Sequence, residues 1–276
     1  MTRINTVAMD SLQSMQNTFA LPRTPGFCLA GKRALVTGAS RGIGVAAASV
    51  LCEYGAEVTL VARSLSEADA VAVALRAVGG VAHAAKLDVT DLPRLRGALS
   101  ELGGESRPFD ILVNNAGTNC PAPFVDVTVD DYDAVMDLNV RSSFFVAQFV
   151  ATTLISARRP GSIINMSSQM GHVGAPMRTV YCSSKHAIQG LTKAMAVELG
   201  SHDIRVNAIC PTFIETPMTR DFLASEEFRR DVLARIKLGR VATTEDVMGA
   251  VLYLASDASA MVTGSSLMVD GGWTAE

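Results

Sequence analysis

The chain has 276 residues, of which 49% are hydrophobic, and its formal net charge is −3. This length suits one large α/β domain, and the apolar content excludes a globally disordered chain. The lack of a basic excess argues against a nucleic-acid-binding surface, and no apolar run reaches the roughly 18 residues of a membrane span. The five cysteines are scattered without a Cys-x-x-Cys pair, which favours reduced thiols in a cytoplasmic protein over a disulfide framework or a metal site.

The N-terminal segment differs from the remainder of the chain. Residues 1–26 are polar and irregular, and they contain no apolar stretch of the kind found in secretion signals. We interpret residues 1–26 as a flexible extension and residues 27–276 as one folded domain.

From Gly31 onward, short runs rich in β-branched residues alternate with longer stretches rich in Ala and Leu. The predicted strands are residues 34–37, 57–62, 81–86, 110–113, 162–166, 204–209 and 266–269. The predicted helices are residues 42–54, 65–78, 91–102 (with Asp91 as N-cap), 130–157, 179–199, 225–238 and 245–255. Repeated βαβ units with nearly continuous apolar strands predict a doubly wound parallel sheet of about seven strands, with helices on both faces.

A glycine-rich segment, TGASRGIG at Thr37–Gly44, connects the first predicted strand to the first predicted helix. Its glycines have the spacing GxxxGxG. Glycine lets the backbone turn sharply and approach a pyrophosphate, and the free N–H groups of a helix N-terminus attract an anion. A tight turn that needs glycine for its geometry alone is the alternative. The flanking strand and helix favour a dinucleotide phosphate site.

The end of the second predicted strand indicates which nucleotide would bind. Ala62 stands where a carboxylate would accept a hydrogen bond from the ribose 2′-hydroxyl of NAD, and Arg63 follows it. Arg63, Arg41 and Ser40 could together hold a 2′-phosphate, for which the planar guanidinium is well suited. The alternative is that both arginines are only solvated. We predict that NADP(H) is preferred over NAD(H).

Two further polar segments follow predicted strands. Asp88 and Val89 come after the third strand, and Asn114–Gly117 comes after the fourth. Because ligands bind outside the carboxyl ends of an open parallel sheet, these segments are expected to meet at one site. A helix cap at Asp88 and a simple turn at the asparagines are the alternatives.

Tyr181 and Lys185 lie four residues apart in a predicted helix and therefore share one face. An adjacent cation favours the phenolate, so we expect Lys185 to lower the pKa of Tyr181 and make it an efficient proton donor. The alternative is an ordinary helix that carries an aromatic residue and a surface lysine.

These segments together resemble the short-chain dehydrogenase/reductase family over residues 27–273. The resemblance implies a Rossmann-like, single-domain NAD(P)-dependent oxidoreductase of residues 27–276 that interconverts a ketone or aldehyde and an alcohol. The motifs that carry it are Thr37–Gly44, NNAG at Asn114–Gly117, Asn139, INMSS at Ile164–Ser168 and YCSSK at Tyr181–Lys185.

The resemblance also implies a catalytic set of Asn139, Ser168, Tyr181 and Lys185, with Tyr181 as the proton donor and Asn139 supporting a water chain. Ser167 competes with Ser168, but the separation between serine and tyrosine in the family selects Ser168. No metal is implied. The implied cofactor-binding residues are Gly38, Ser40, Arg41, Ile43, Gly44, Arg63, Asp88, Val89, Asn115, Gly117, Tyr181, Lys185, Pro211, Ile214 and Thr216.

The substrate is poorly specified by the sequence. FIETPMTR at Phe213–Arg220 is similar both to 3-oxoacyl-thioester reductases and to sugar or polyol dehydrogenases, and Thr212 stands where the family usually has Gly. His172 and Gln169 could contact a polar group. Apolar residues in this region favour a 3-oxoacyl or other apolar carbonyl, since ligand pockets are mostly apolar. They are Met170, Val173, Met177, Phe213, Met218, Phe222 and Leu223.

Other functions are less compatible with the residues. A nucleotide-binding regulatory protein without catalysis would be expected to lack Tyr181 or Lys185, and an epimerase or dehydratase usually has more substrate-binding sequence. By resemblance, we expect a homotetramer or homodimer formed through the helices at residues 130–157 and 179–199.

Overall fold

The computed structural model describes residues 23–275 and contains one sheet of seven parallel strands in the order β3-β2-β1-β4-β5-β6-β7. β1 pairs with β2 on one side and with β4 on the other, so the chain reverses its winding direction at β1 and opens a crevice at the carboxyl ends of the strands. The strands are β1 (Arg33–Thr37), β2 (Glu57–Ala62), β3 (Val81–Lys86), β4 (Ile111–Asn114), β5 (Gly161–Met166), β6 (Ile204–Pro211) and β7 (Ser266–Val269).

Helices cover both faces of this sheet, which confirms the predicted fold class. The helices are α1 (Ile43–Glu53), α2 (Leu65–Ala77), α3 (Leu92–Glu101), α4 (Val129–Met136), α5 (Ser142–Ala157), α6 (Thr179–Leu199), α7 (Arg220–Leu223), α8 (Glu226–Arg235) and α9 (Glu245–Ala255). One apolar core joins α1, α2 and α9 to the sheet, and a second joins α3, α5 and α6 to the opposite face. Alternate residues of β1 serve the two cores: Leu35 faces one and Val36 the other.

A π-helical turn at Asp137–Arg141 connects α4 to α5, within a stretch predicted as a single helix. By length and composition the stretch Val129–Ala157 could cross a membrane, but half of its most apolar window is buried inside the protein. Its hydropathy is therefore explained by packing of α5 against the sheet.

Several predicted boundaries shift in the structure. β4 begins at Ile111 and not at residue 110, and α8 ends at Arg235, before the predicted residue 238. Asp91 occupies the N-cap position of α3, although its side chain makes no capping hydrogen bond. Most of the expected flexible extension, residues 1–22, lies outside the described residues, and residues 23–26 have no regular secondary structure.

Candidate active site

Two residues of the glycine loop after β1, Gly38 and Gly44, have no room for a side chain. Gly38 has φ of 63°, and a Cβ there would lie 2.9 Å from the Cα of Ala116. A Cβ on Gly44 would lie 2.3 Å from the main-chain oxygen of Gly38. These glycines therefore let the start of α1 approach the loop after β4, which leaves its N-terminal N–H groups open to an anion.

Hydrogen bonds hold the glycine loop against the loop after β4. The hydroxyl of Thr37 accepts bonds of 3.0 Å from the main-chain N–H groups of Asn115 and Ala116. The Asn115 amide donates in return to the main-chain oxygens of Thr37 and Gly38, at 3.0 and 3.1 Å. The floor of the crevice is thus a rigid unit formed by β1 and β4.

A cavity of about 390 Å³ lies above this floor at the carboxyl ends of the strands. Three of the predicted cofactor-binding residues do not line this cavity: Gly44, Pro211 and Ile214. Gly44 and Ile214 are buried, and Pro211 is the last residue of β6. The lining of this cavity fits a dinucleotide, because it includes both the glycine-rich backbone after β1 and the side chains of Tyr181 and Lys185. The predicted cofactor residues that line it are Gly38, Ser40, Arg41, Ile43, Arg63, Asp88, Val89, Asn115, Gly117, Tyr181, Lys185 and Thr216.

Two exposed arginines, Arg41 and Arg63, lie at one end of this cavity. Neither guanidinium has a hydrogen-bond or ion-pair partner within residues 23–275. Burial raises the pKa of Asp88, but hydrogen bonds from Thr90 and the charge of Arg63 outweigh it and lower that pKa overall. The end of β2 therefore offers free positive charge beside Ala62, where an NAD-binding site would carry a carboxylate.

Tyr181 and Lys185 lie together on the face of α6 that borders the cavity. The Lys185 ammonium is 5.5 Å from the centre of the Tyr181 ring and donates a 2.9 Å hydrogen bond to the main-chain oxygen of Met166. Burial lowers the pKa of Lys185 to about 8. Burial also raises the pKa of Tyr181 to about 12, although the Ser168 hydroxyl and the Arg178 charge act in the opposite direction.

The prediction that Lys185 lowers the pKa of Tyr181 is therefore wrong. Desolvation of the phenol outweighs the neighbouring charges, because a buried phenolate loses its hydration. The Lys185 ammonium is also committed to the Met166 carbonyl. Tyr181 is consequently a protonated phenol throughout the neutral range.

The two adjacent serines at the end of β5 have different environments. Ser167 is tied into the helix packing: its hydroxyl donates to the main-chain oxygen of Lys185 at 3.2 Å and accepts from the Gln189 amide at 2.8 Å. Ser167 also borders the larger cavity. Ser168 lines a second cavity together with Tyr181, and its hydroxyl interacts with the phenol. The Ser168 hydroxyl also donates to Gln169 Oε1 at 2.7 Å and accepts from the Met170 N–H at 3.1 Å. Of the two serines, Ser168 shares the smaller cavity with Tyr181, and its catalytic role stays a prediction.

Asn139 lies in the π-helical turn, and its buried side chain makes three hydrogen bonds. Its amide nitrogen donates to the main-chain oxygen of Thr118 at 2.9 Å and to the Ser184 hydroxyl at 3.0 Å, and its oxygen accepts from the Thr118 N–H at 2.8 Å. The Ser184 hydroxyl donates to the carbonyl of Tyr181. Asn139 therefore fixes the loop after β4 against the turn of α6 that carries Tyr181.

The second, smaller cavity of about 70 Å³ adjoins the first, and Tyr181 and Met218 line both. Among the residues expected near a substrate, Val173, Met177, His172 and Leu223 do not line it. Four polar residues without an assigned role do so. The Thr219 hydroxyl is hydrogen-bonded to the Ile214 carbonyl, and the other three residues are Asn119, Arg178 and Thr212. The remaining lining residues are Ser168, Gln169, Met170, Phe213 and Phe222.

Of these three polar residues, the sequence provided a signal only for Thr212, as a departure from the family pattern. Arg178 is 7% exposed although arginine is rarely buried, and no motif contains it.

With this geometry established, comparison with known proteins identifies the class. A family model described as enoyl-(acyl carrier protein) reductase matches residues 38–274. The chain belongs to the short-chain dehydrogenase/reductase family and is an oxidoreductase that acts on CH–OH groups.

Relatives within this family act on sugars and polyols. The chain is 43% identical to L-xylulose reductase of Bos taurus and 40% identical to gluconate 5-dehydrogenase of Gluconobacter oxydans, over 90% of this chain and 98% and 96% of those proteins. A solved structure of gluconate 5-dehydrogenase from Burkholderia cenocepacia, in complex with NADP and tartrate, superposes with a TM-score of 0.87 at 36% identity. That match covers 91% of this chain and 98% of the solved chain.

Proposed function

We propose that this protein uses NADP(H) to interconvert a ketone and a secondary alcohol in a small polyhydroxylated compound, with Tyr181 as the proton donor. The observation that carries the proposal is the position of Tyr181 on the boundary between the two cavities. A phenol there borders both the cofactor crevice and the smaller cavity, and Ser168 stands beside it.

The protein groups around Tyr181 suit carbonyl reduction. The bound nicotinamide cofactor supplies the hydride in this direction and accepts it in the other. With a pKa of about 12, Tyr181 holds its proton at neutral pH and can donate it to the carbonyl oxygen as negative charge develops there. The Ser168 hydroxyl would hydrogen-bond the same oxygen and stabilise that charge.

Lys185 and Asn139 position the donor in this proposal. Lys185 is anchored to the end of β5 through Met166, which directs its remaining N–H groups toward the cofactor cavity it lines and the cofactor ribose expected there. Asn139 holds the turn of α6 through Ser184. All the hydrogen-bonding groups of the Asn139 side-chain amide have protein partners. The water chain that the family resemblance implies at this residue stays a prediction.

NADP(H) is proposed over NAD(H) because of Arg41 and Arg63. Both guanidiniums lack hydrogen-bond and ion-pair partners in the part of the chain that the structure describes, and they lie where a ribose 2′-phosphate would be expected. Ala62 provides no acceptor for a 2′-hydroxyl. The relative of known structure described above binds NADP, which supports the same choice.

The substrate class rests on the relatives and on the second cavity. L-xylulose reductase and gluconate 5-dehydrogenase both act on polyhydroxylated compounds. The cavity contains Asn119, Gln169 and Thr212 as well as four of the apolar residues that favoured a 3-oxoacyl substrate: Met170, Phe213, Met218 and Phe222. We therefore place the sugar or polyol substrate, first considered as the alternative, ahead of the apolar carbonyl.

A cytoplasmic homo-oligomer is also proposed. Phe144 and Phe145 of α5 are 44% and 37% exposed, and Val197 of α6 is 85% exposed. These side chains lie on the two helices expected to form subunit contacts, and apolar surface of this kind marks interaction sites. Mass photometry would test the oligomer directly.

A substrate panel followed by NADPH absorbance tests the enzymatic proposal. Ketoses and keto-acids of sugars are expected to be reduced, and a 3-oxoacyl thioester is expected to react much more slowly. Rapid reduction of the thioester alone, or a Tyr181→Phe variant with near wild-type turnover, would contradict the proposal.

A further inference from the structure

We infer that the smaller cavity binds a substrate that carries a carboxylate, anchored by Arg178, so that a sugar acid is preferred over the corresponding neutral sugar alcohol. This inference deepens the proposed function and rests on it. It arises from three polar residues of the cavity that the proposed proton transfer does not use.

Arg178 is the first of them. It directly precedes α6, is 7% exposed, and lines the cavity beside Tyr181 and Ser168. Its guanidinium lies 4.9 Å from the centre of the Phe222 ring, which is a cation–π contact and leaves its N–H donors free. Within residues 23–275 it has neither a hydrogen bond nor an ion pair.

A buried guanidinium without an acceptor is unusual, because it keeps its charge under all ordinary conditions. The residues that line the cavity include no aspartate or glutamate. The cavity therefore holds a permanent positive charge with no protein counter-ion. A planar carboxylate from the substrate would satisfy it by accepting two parallel hydrogen bonds.

The backbone before Arg178 directs it inward. Met177 adopts φ of 57°, a left-handed conformation that is uncommon for residues other than glycine. Its main-chain oxygen accepts a 3.2 Å hydrogen bond from the N–H of Ala122, in the loop after β4. Such a conformation persists where the surroundings fix it, and it is frequent at ligand sites.

Two other polar atoms in the cavity also lack partners. The side-chain oxygens of Asn119 and Thr212 are fully buried and have no hydrogen-bond partner among the described residues. Buried polar atoms without partners are rare, and both would be satisfied by hydroxyl groups of a ligand. Thr212 replaces the glycine usual in the family, so this hydroxyl is a feature of this chain.

The three residues together define a ligand. Arg178 supplies paired donors for a carboxylate, and Asn119 and Thr212 supply acceptors for hydroxyl groups, all in one cavity bordered by Tyr181. A hydroxy acid or keto acid derived from a sugar has these groups on neighbouring carbons. A thioester of a fatty acid has neither the charge nor the hydroxyls.

The test uses aldonates, each matched with its alditol: gluconate with sorbitol, galactonate with galactitol, and xylonate with xylitol. The members of a pair differ only in a terminal carboxylate against a terminal hydroxymethyl group. Dissociation constants are measured by calorimetry on the full-length enzyme loaded with NADP⁺, and kcat/KM is measured in parallel. We expect at least one aldonate to bind about 10- to 100-fold more tightly than its alditol, as for hydrogen bonds to a charged group.

Variants of Arg178 identify the origin of the preference. Arg178→Met is expected to reduce the ratio of aldonate to alditol affinity at least tenfold, and Arg178→Lys to retain part of it. Thr212→Val should weaken binding of both members of a pair to a similar degree, because it removes a hydroxyl contact and no charge. Arg94→Met, at a side chain that is 84% exposed on α3, is the control.

The outcomes separate this inference from the proposed function. Equal affinity for aldonates and alditols, or an affinity ratio that Arg178→Met leaves unchanged, overturns the carboxylate anchor. If the enzyme nevertheless turns over neutral sugars, the proposed function stands. If no sugar of either kind binds or reacts although NADPH binds, the proposed function fails, and the inference fails with it.

Discussion

The ammonium nitrogen of Lys185 lies 2.9 Å from the main-chain oxygen of Met166, so the last residue of β5 anchors the buried cation beside Tyr181. This contact satisfies one of the three N–H donors of the ammonium group. Burial still lowers the pKa of Lys185 from 10.5 to about 8, since one carbonyl does not replace its hydration.

This depressed pKa predicts how stability depends on pH. Between about pH 8 and 10.5 the unfolded chain holds a proton on Lys185 that the folded protein has lost, so the free energy of unfolding rises with pH. The full effect is of the order of 3 kcal/mol. Above pH 10 the raised pKa of Tyr181 acts in the opposite direction, which confines the rise to about pH 8–10.

Urea unfolding of the wild type and of Lys185→Met, repeated across this pH range, measures the effect. The wild type should gain stability relative to the variant as the pH rises from 8 to 10. Parallel curves for the two proteins would show that Lys185 keeps an ordinary pKa in the folded state.

Tyr181→Phe should lower kcat by about 10²- to 10⁴-fold, because it removes the proposed proton donor and leaves the ring in place. NADPH binding, followed by fluorescence, should stay within a few-fold of the wild type, as in a Tyr54→Phe control on the surface of the protein. A small change in kcat would assign the proton to another group.

The adjacent serines should differ in their effect on turnover. Ser168→Ala should lower kcat about 10²- to 10³-fold, since its hydroxyl faces the reacting oxygen in our proposal. It should also lower stability, because Gln169 Oε1 and the Met170 N–H lose a buried partner. Ser167→Ala should lower the free energy of unfolding by about 1 kcal/mol, because the Lys185 carbonyl and the Gln189 amide each lose one buried hydrogen bond. If the two variants exchanged these effects, the assignment of Ser168 would be incorrect.

Arg63→Ala should reduce the preference for NADPH over NADH, measured as the ratio of the two kcat/KM values. A charge-assisted bond to a 2′-phosphate contributes about 1.5–3 kcal/mol, so the ratio should fall about 10- to 100-fold. Arg76→Ala, on the exposed surface of α2, is a control for the loss of positive charge. The preference for NADPH over NADH could also survive in Arg63→Ala and in the double variant Arg41→Ala, Arg63→Ala. That result would exclude recognition of the 2′-phosphate by these two residues.

The regular elements followed from sequence because their patterns extend over many residues. Helix α6 was predicted with the bounds observed, Thr179–Leu199, and the strands at 57–62, 81–86 and 266–269 also agree. Helix α7, Arg220–Leu223, was missed because four residues are too few for a 3.6-residue periodicity to be visible. The π-helical turn was missed because one extra residue in a helix leaves no distinct local pattern.

The site was predictable where chemistry follows from sequence neighbours, and unpredictable where it depends on burial. Tyr181 and Lys185 are brought together by helix geometry alone. Their pKa values depend on desolvation by the surrounding fold, and this reversed the expected shift of Tyr181. Arg178 resembled a solvated arginine in the sequence because only the fold encloses it.

The turn at Asp137–Arg141 separates the ability to fold from the ability to function. A π-helical turn is a helix with one surplus residue, so deletion of Val140 would restore an uninterrupted α-helix and leave α5 packed almost as before. Asn139 would then lose its alignment with Thr118 and Ser184. Such a shortened protein should keep its fold, lose the stability that the three hydrogen bonds of the buried Asn139 side chain contribute, and be nearly inactive. This irregular turn is then a feature maintained for activity and dispensable for the fold.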